Sequence, residues 1–86
     1  MKIEYHRKFL KSFAKLPNKI KSRFYERLRL FANDQYNLLL ENHSVEPIYP
    51  HMRSINITGD YRALFEVIGD SNIEFMRIGT HSELYK

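Results

Sequence analysis

Residues 52–79 read MRSINITGDYRALFEVIGDSNIEFMRIG, and this stretch decides the fold. Three runs rich in β-branched and aromatic residues, Met52 to Thr58, Tyr61 to Ile68 and Asn72 to Gly79, are strand-like. Gly59-Asp60 between the first two is a two-residue hairpin signal, and Gly69 to Ser71 makes a second, slightly longer turn. Strands joined by turns this tight pair antiparallel, so the stretch forms a meander.

Upstream, Gln35 to His51 shows no period. Leu38, Leu39 and Leu40 suit a loop or short helical turn anchored to a core, and Pro47 and Pro50 oppose regular structure around them. Before that, Ile20, Phe24, Leu28 and Phe31 line one face of a helix, with Lys19, Arg23 and Arg27 on another, and Ala32 to Asp34 ends the pattern. Pro17 suits that helix's first turn and interrupts an earlier one, in which Phe9, Phe13 and Leu16 oppose Lys8, Lys11 and Lys15. Met1 to His6 alternates Ile3 and Tyr5 with Lys2, Glu4 and His6, as a short strand does. The expected architecture is α+β, in the order β-α-α-β-β-β: two N-terminal helices packed on a four-stranded, mainly antiparallel sheet.

The chain's 86 residues allow a single domain, 1–86, with a modest core. No apolar run approaches a membrane span, and Met1 to Leu10 lacks the apolar centre of a signal peptide, which points to a cytoplasmic protein. The absence of cysteine excludes disulfides, thiolate catalysis and the usual zinc clusters. Charge is distributed unevenly. Residues 1–31 carry ten basic and two acidic side chains, while residues 32–86 carry four and eight. A basic half on a small domain fits either a polyanion partner, whose counterions it would release, or a solvated helix face.

Of the four histidines, His6, His43, His51 and His81, none has a spacing typical of a metal site. His6 and His51, at element ends, read as surface or capping residues. The C-terminal run is more informative: Arg77, Gly79, Thr80, His81, Ser82 and Tyr85 bring a permanent cation, an imidazole and an aromatic ring into one short stretch. Gly79 lets the chain leave the sheet, and Thr80 or Ser82 suits a cap. Arginine for a phosphate, histidine for a proton and tyrosine to stack a base together suit a nucleotide. A salt-bridged arginine and a packed tyrosine are the competing reading.

The run Arg77-Ile78-Gly79-Thr80-His81-Ser82-Glu83-Leu84-Tyr85 resembles the C-terminal signature of the RelE/ParE toxin superfamily, in particular its YafQ-like branch. Arg53 to Arg62 resembles the family's central hairpin, and Asn42-His43 the motif opening its active-site loop. The resemblance implies a toxin of a type II toxin–antitoxin pair. Such a toxin is a ribosome-dependent endoribonuclease that cuts messenger RNA without metal or other cofactor and is neutralised by an antitoxin protein. Carried over by position, His43, Asp60, Arg77, His81 and Tyr85 match residues of catalysis or substrate binding. Arg53 and Tyr61, the latter where a Trp often stands, are candidate substrate contacts. Asn56 falls where some relatives carry a further catalytic histidine, and an amide is no base near neutral pH.

Metal-free RNA cleavage needs a base for the ribose 2′-OH, a cation for the phosphorane charge and an acid for the leaving 5′-oxygen. Imidazole, with an unperturbed pKa of about 6.5, can serve either proton role. Arginine stays charged and forks onto two phosphate oxygens. These demands assign Arg77 to the phosphate, His81 to the acid and His43 to the base. Asp60 orients a histidine, is itself the base, or is ordinary turn chemistry after Gly59. Tyr85 stacks on a base or clamps the substrate. Lys8, Lys11, Lys15, Lys19, Arg23 and Arg27 are expected to dock ribosomal RNA. Two alternatives remain: a ParE-like toxin acting on DNA gyrase, and a non-catalytic module binding RNA or the ribosome.

Overall fold

The computed structural model describes residues 1–85. Strand β1 (Ile3–Tyr5) leads to helices α1 (Arg7–Ala14) and α2 (Asn18–Asn33), a 3-10 turn at Leu38–Leu40 and strand β2 (His43–Ser44). Strands β3 (Met52–Asn56), β4 (Tyr61–Ile68) and β5 (Asn72–Thr80) follow, and helix α3 (His81–Leu84) comes last. The sheet order is β1-β5-β4-β3-β2, with β1 parallel to β5 and every other pair antiparallel. The α+β class and the helical hairpin on one sheet face agree with the sequence reading. The sheet has five strands rather than four. The extra strand is a two-residue edge, His43–Ser44, too short and too polar to show a period of two.

Helix ends follow local chemistry. His6 caps α1, its Nδ1 accepting the Lys8 N–H at 3.0 Å, and Pro17 stands immediately before α2 at a φ natural to proline. In the 3-10 turn only Leu40 is buried; Leu38 and Leu39 face solvent. The β3–β4 turn is wider than a two-residue loop. Ile57 and Thr58 N–H both donate to the Tyr61 carbonyl. The Thr58 hydroxyl accepts from the N–H groups of Asp60 and Tyr61 at 3.3 and 3.1 Å. A side-chain oxygen closing the turn removes the need for a left-handed residue at Gly59. Gly69, by contrast, takes φ +67°, which its turn requires.

The core lies between the helical hairpin and the sheet. The rings of Tyr5, Phe9, Phe24, Phe31 and Phe65 all sit 5.4 to 6.0 Å from that of Phe75, in tilted, edge-on and stacked arrangements. Burying each phenylalanine contributes about 1.5–3 kcal/mol, and the paired rings add to that.

Strand β5 changes phase midway. Phe75 pairs with Phe65 and Arg77 with Leu64, leaving Met76 as the extra residue of a β-bulge. Ile73 and Phe75 face the helices before the bulge, and Ile78 does so after it. Side chains alternate with period two, so one extra residue transfers every later side chain to the opposite face. Arg77 therefore leaves the core side and joins a row running across the second face, His43–Ser54–Leu64–Arg77. Over that row Val45, Leu64 and Leu84 form a small second core, with Tyr49, Met52 and Tyr85 packed against it.

Ser54 lies in this row at 1% exposure, and its hydroxyl has no hydrogen-bond partner among the described residues. An orphaned buried polar group costs about 1–3 kcal/mol. Ser54→Ala keeps the Cβ and removes only the orphan, so it should leave stability unchanged or raise it by up to about 1 kcal/mol. Urea denaturation measures this, and a clear loss of stability would show that the hydroxyl has a partner in solution.

Candidate functional site

The end of β5 and helix α3 bring the C-terminal candidates together. Thr80 and Glu83 form a capping box: the Glu83 N–H donates to Thr80 Oγ1 at 3.2 Å, and the Thr80 N–H donates to Glu83 Oε1 at 2.7 Å. A Cβ on Gly79 would come within 3.1 Å of that same Glu83 oxygen, so a side chain there would push on the cap. The His81 N–H donates to the Asp60 carbonyl at 3.0 Å, which ties the short helix to the β3–β4 turn.

One turn of α3 brings the His81 imidazole and the Tyr85 ring to 4.7 Å, tilted by 42°. Tyr85 meets Tyr49 edge-on at 5.9 Å. On its other side Tyr49 lies under the Arg77 guanidinium, 5.8 Å from the ring centre. Arg77 and His81 are exposed and Tyr85 is half-buried. Burial, and secondarily the Tyr49 phenol, raise the Tyr85 pKa above 10, with Arg62 working in the opposite direction. Tyr85 thus remains a neutral phenol through the neutral range, suited to stacking or donating rather than to accepting a proton.

Two grooves flank this corner. Lys8, Lys15, Tyr61, Arg77 and Glu83 line one of about 340 Å³. Lys19, Arg23, Arg27, Asn56, Asp60 and Tyr61 line another of about 490 Å³. Tyr61 belongs to both, so the basic residues of the two helices form two tracks that meet at one aromatic ring. Lys11 is exposed on α1 outside both. Arg23 is partly neutralised by Glu26 at 3.2 Å, and Arg27 Nε donates to the Ile57 carbonyl at 3.4 Å. Asp60 is exposed and forms no ion pair among the described residues.

Other candidates stand apart. His43 shares the face of Arg77 but lies three strands away, roughly 14 Å at the usual strand spacing. Leu64 and its apolar cover lie between them. His43 Nδ1 is 2.7 Å from the Glu41 carbonyl, which can only accept, so the neutral ring carries its proton on Nδ1 and a lone pair on Nε2. Arg53 points to the helix side of the sheet. Its Nε donates to Asn42 Oδ1 at 2.7 Å, and its guanidinium lies over Tyr36. The side chain holds the 35–42 segment against β3. Asn56 donates to the Glu41 carboxylate. His6 is a cap, and His51 is exposed at φ +65°.

Two residues of this corner escaped the sequence reading. Tyr49 sits in the aperiodic loop, where its placement between Pro47 and Pro50 was the one available signal. Arg62 Nη1 donates to the carbonyls of Thr58, Gly59 and Tyr61 at 3.0 to 3.2 Å, fastening the turn beside Tyr85. As a chemical device the corner offers an exposed fork of donors, an imidazole and two phenols meeting edge-on beside a cationic groove. Among the described residues no group of three His, Asp or Glu is placed to hold a metal, and no helix is long and apolar enough to cross a membrane.

Several solved toxin structures share this fold. The YafQ crystal structure from E. coli strain BL21(DE3) superposes with a TM-score of 0.78 at 22% identity, covering 98% of this chain and 97% of that one. The E. coli DinJ–YafQ complex matches with a TM-score of 0.75 at 24% identity, covering 98% and 97%. The RelB–RelE antitoxin–toxin complex from Methanococcus jannaschii gives 0.75 at 24% identity, covering 95% and 94%. No curated protein matches the sequence significantly. The family model for the ParE toxin of the type II toxin–antitoxin system parDE matches residues 3–85, nearly the whole chain. With that span and this fold, the chain belongs to the ParE toxin family and is a type II toxin–antitoxin toxin of the RelE/ParE superfamily.

Proposed function

We propose that the protein is a ribosome-dependent endoribonuclease that cleaves messenger RNA and is held in check by a cognate antitoxin. The observation that carries this reading is the convergence of Arg77, His81 and Tyr85 at one corner beside a groove lined by Lys8 and Lys15. Inhibiting a protein target calls for no such set of phosphate-binding and proton-carrying groups. The solved DinJ–YafQ and RelB–RelE complexes support an antitoxin partner for a chain of this fold.

In the proposed reaction the ribose 2′-oxygen attacks the adjacent phosphorus and loses its proton to a base. Arg77 stabilises the charge that grows on the phosphoryl oxygens. The bond from phosphorus to the 5′-oxygen breaks, and His81 donates a proton to that oxygen, leaving a 2′,3′-cyclic phosphate and a free 5′-OH. Tyr85 offers its face to a base. Of the two candidate bases, Asp60 lies nearer the acid, because its carbonyl holds the His81 N–H, whereas His43 would serve through its Nε2 only with an RNA strand that spans the apolar layer over Leu64. Lys8, Lys11, Lys15, Lys19, Arg23 and Arg27 dock the RNA of the ribosome.

Mapping 5′ ends of cellular messenger RNA after brief induction should show new ends phased with codons. DNA synthesis stopping well before protein synthesis, with no new ends, would favour action on gyrase instead. On programmed ribosomes, single-turnover cleavage should fall by about 10²–10³ in Arg77→Ala and by about 10²–10⁴ in His81→Ala. Those ranges overlap, and pH separates the roles. An acid must be protonated to act, so wild-type cleavage should decline on the alkaline side. His81→Ala should lose that decline and Arg77→Ala should keep it. A fully active His81→Ala would remove the assignment.

Reversing Lys8, Lys15 and Lys19 to Glu should weaken ribosome binding and reduce its salt slope by about one unit for each phosphate no longer neutralised. The circular dichroism spectrum should be unchanged. An unaltered affinity and slope would return the basic helices to an ordinary solvated surface.

A further inference from the structure

We propose that Tyr49 is the positioning residue of this site: its ring sets the Arg77 guanidinium relative to the His81–Tyr85 pair. The inference rests on the ribonuclease reading for its activity readout, and on geometry alone for its structural one. Arg77 and Tyr85 have no direct link by ring contact or ion pair among the described residues. Each touches Tyr49 instead, Arg77 over the ring face at 5.8 Å and Tyr85 edge-on at 5.9 Å. The Tyr49 hydroxyl donates to the Leu84 carbonyl, so the same side chain also holds the end of α3.

The ring can act as a fixed reference because its backbone is fixed. The Tyr49 N–H donates to the Val45 carbonyl at 3.1 Å, and the Met52 N–H donates to the Tyr49 carbonyl at 3.2 Å. The Val45 N–H in turn joins the Met52 carbonyl at 3.2 Å. The loop is thereby closed on the start of β3. Val45, Leu64 and Leu84 pack beneath.

An exposed arginine on a strand has wide rotamer freedom, and a guanidinium over a phenol face is drawn there by the ring's quadrupole. Holding that fork where the phosphoryl charge develops is what makes it effective, since a displacement near 1 Å can cost on the order of 10²-fold in rate. Tyr49 thus acts on the chemistry through Arg77 and Tyr85, without touching the reacting atoms itself.

Two variants test this. Tyr49→Phe keeps the ring and loses the Leu84 bond; Tyr49→Leu keeps apolar bulk and loses the ring. In Tyr49→Leu, single-turnover cleavage on programmed ribosomes should fall on the order of 10²-fold with ribosome affinity unchanged, and Tyr49→Phe should restore most of the rate. The second readout needs no activity. The Arg77 side-chain NMR resonances, shifted by the ring current of Tyr49, should move to solvent-like values in Tyr49→Leu and stay in Tyr49→Phe.

The ionisation of Tyr85, faced by Tyr49, Arg62 and His81, should move down in both variants as the second phenol is lost. A Tyr49→Leu that cleaves like the wild type, or whose Arg77 resonances do not move, overturns the proposal. So does a Tyr49→Leu that no longer unfolds cooperatively, because Tyr49 would then be a structural prop. A wild-type chain that cuts no RNA would remove the ribonuclease reading alone, and the resonances would still decide the role of Tyr49.

Discussion

Phe75 is the residue on which the parts of this molecule converge. Its ring receives Tyr5 from β1, Phe9 from α1, Phe24 and Phe31 from α2, and Phe65 from β4. In a domain of this size little else can hold two helices against a sheet, because surface grows relative to volume as chains shorten. The aromatic cluster fixes β5, and β5 carries Arg77, Gly79 and Thr80 outward to the corner where α3 begins. The chemistry is therefore anchored to the strand that carries the centre of the aromatic cluster, and the last short helix is placed by a capping box, one backbone bond to Asp60, the Tyr49 hydroxyl and the packing of Leu84.

The two sheet faces divide the labour. The helix side is dry and aromatic, and it determines whether the chain folds. The other side holds a thin apolar layer of Val45, Leu64 and Leu84, over which exposed His81 and half-buried Tyr85 and Tyr49 are arranged. Ser54 marks the weakness of this second layer: among the described residues its hydroxyl is buried without a hydrogen-bond partner, and the first layer contains no such orphan. Basic residues from the helices reach the edge of the site through the two grooves that meet at Tyr61.

Much of this was legible in the residues themselves. Phe9 and Phe13, then Ile20, Phe24, Leu28 and Phe31, repeat at helical spacing and do form two helices, with Leu16 just past the end of the first; the three strands and the Gly69 turn follow equally directly. The edge strand His43–Ser44 was not legible, because two residues carry no period and its pairing with β3 is a long-range event. The Gly59-Asp60 turn misled for a different reason, since a threonine hydroxyl closed the loop and relieved the glycine of its usual task. Of the candidate site, Arg77, His81 and Tyr85 stood close together in the chain and stay close in space. Tyr49 came from a segment with no pattern, and only the fold reveals its neighbours. His43 could be recognised from its motif, but its separation from His81 depends on how many strands lie between them.

Strand β5 also behaves as a parity counter. From Ile73 to Phe75 odd positions face inward, and after Met76 the even position Ile78 does. Substituting Met76 leaves the bulge intact, and deleting it would leave a regular strand with the guanidinium still outward; taking Met76 into the ladder as an ordinary paired residue would instead send the guanidinium toward the aromatic core and push an isoleucine outward. What sets the facing here is the pairing of Arg77 with Leu64 rather than the identity of the bulged residue. Exchange of the side chain at position 76 spares that pairing, but a one-residue slip of the strand that straightens the bulge would uncouple the fold from its charge in one step.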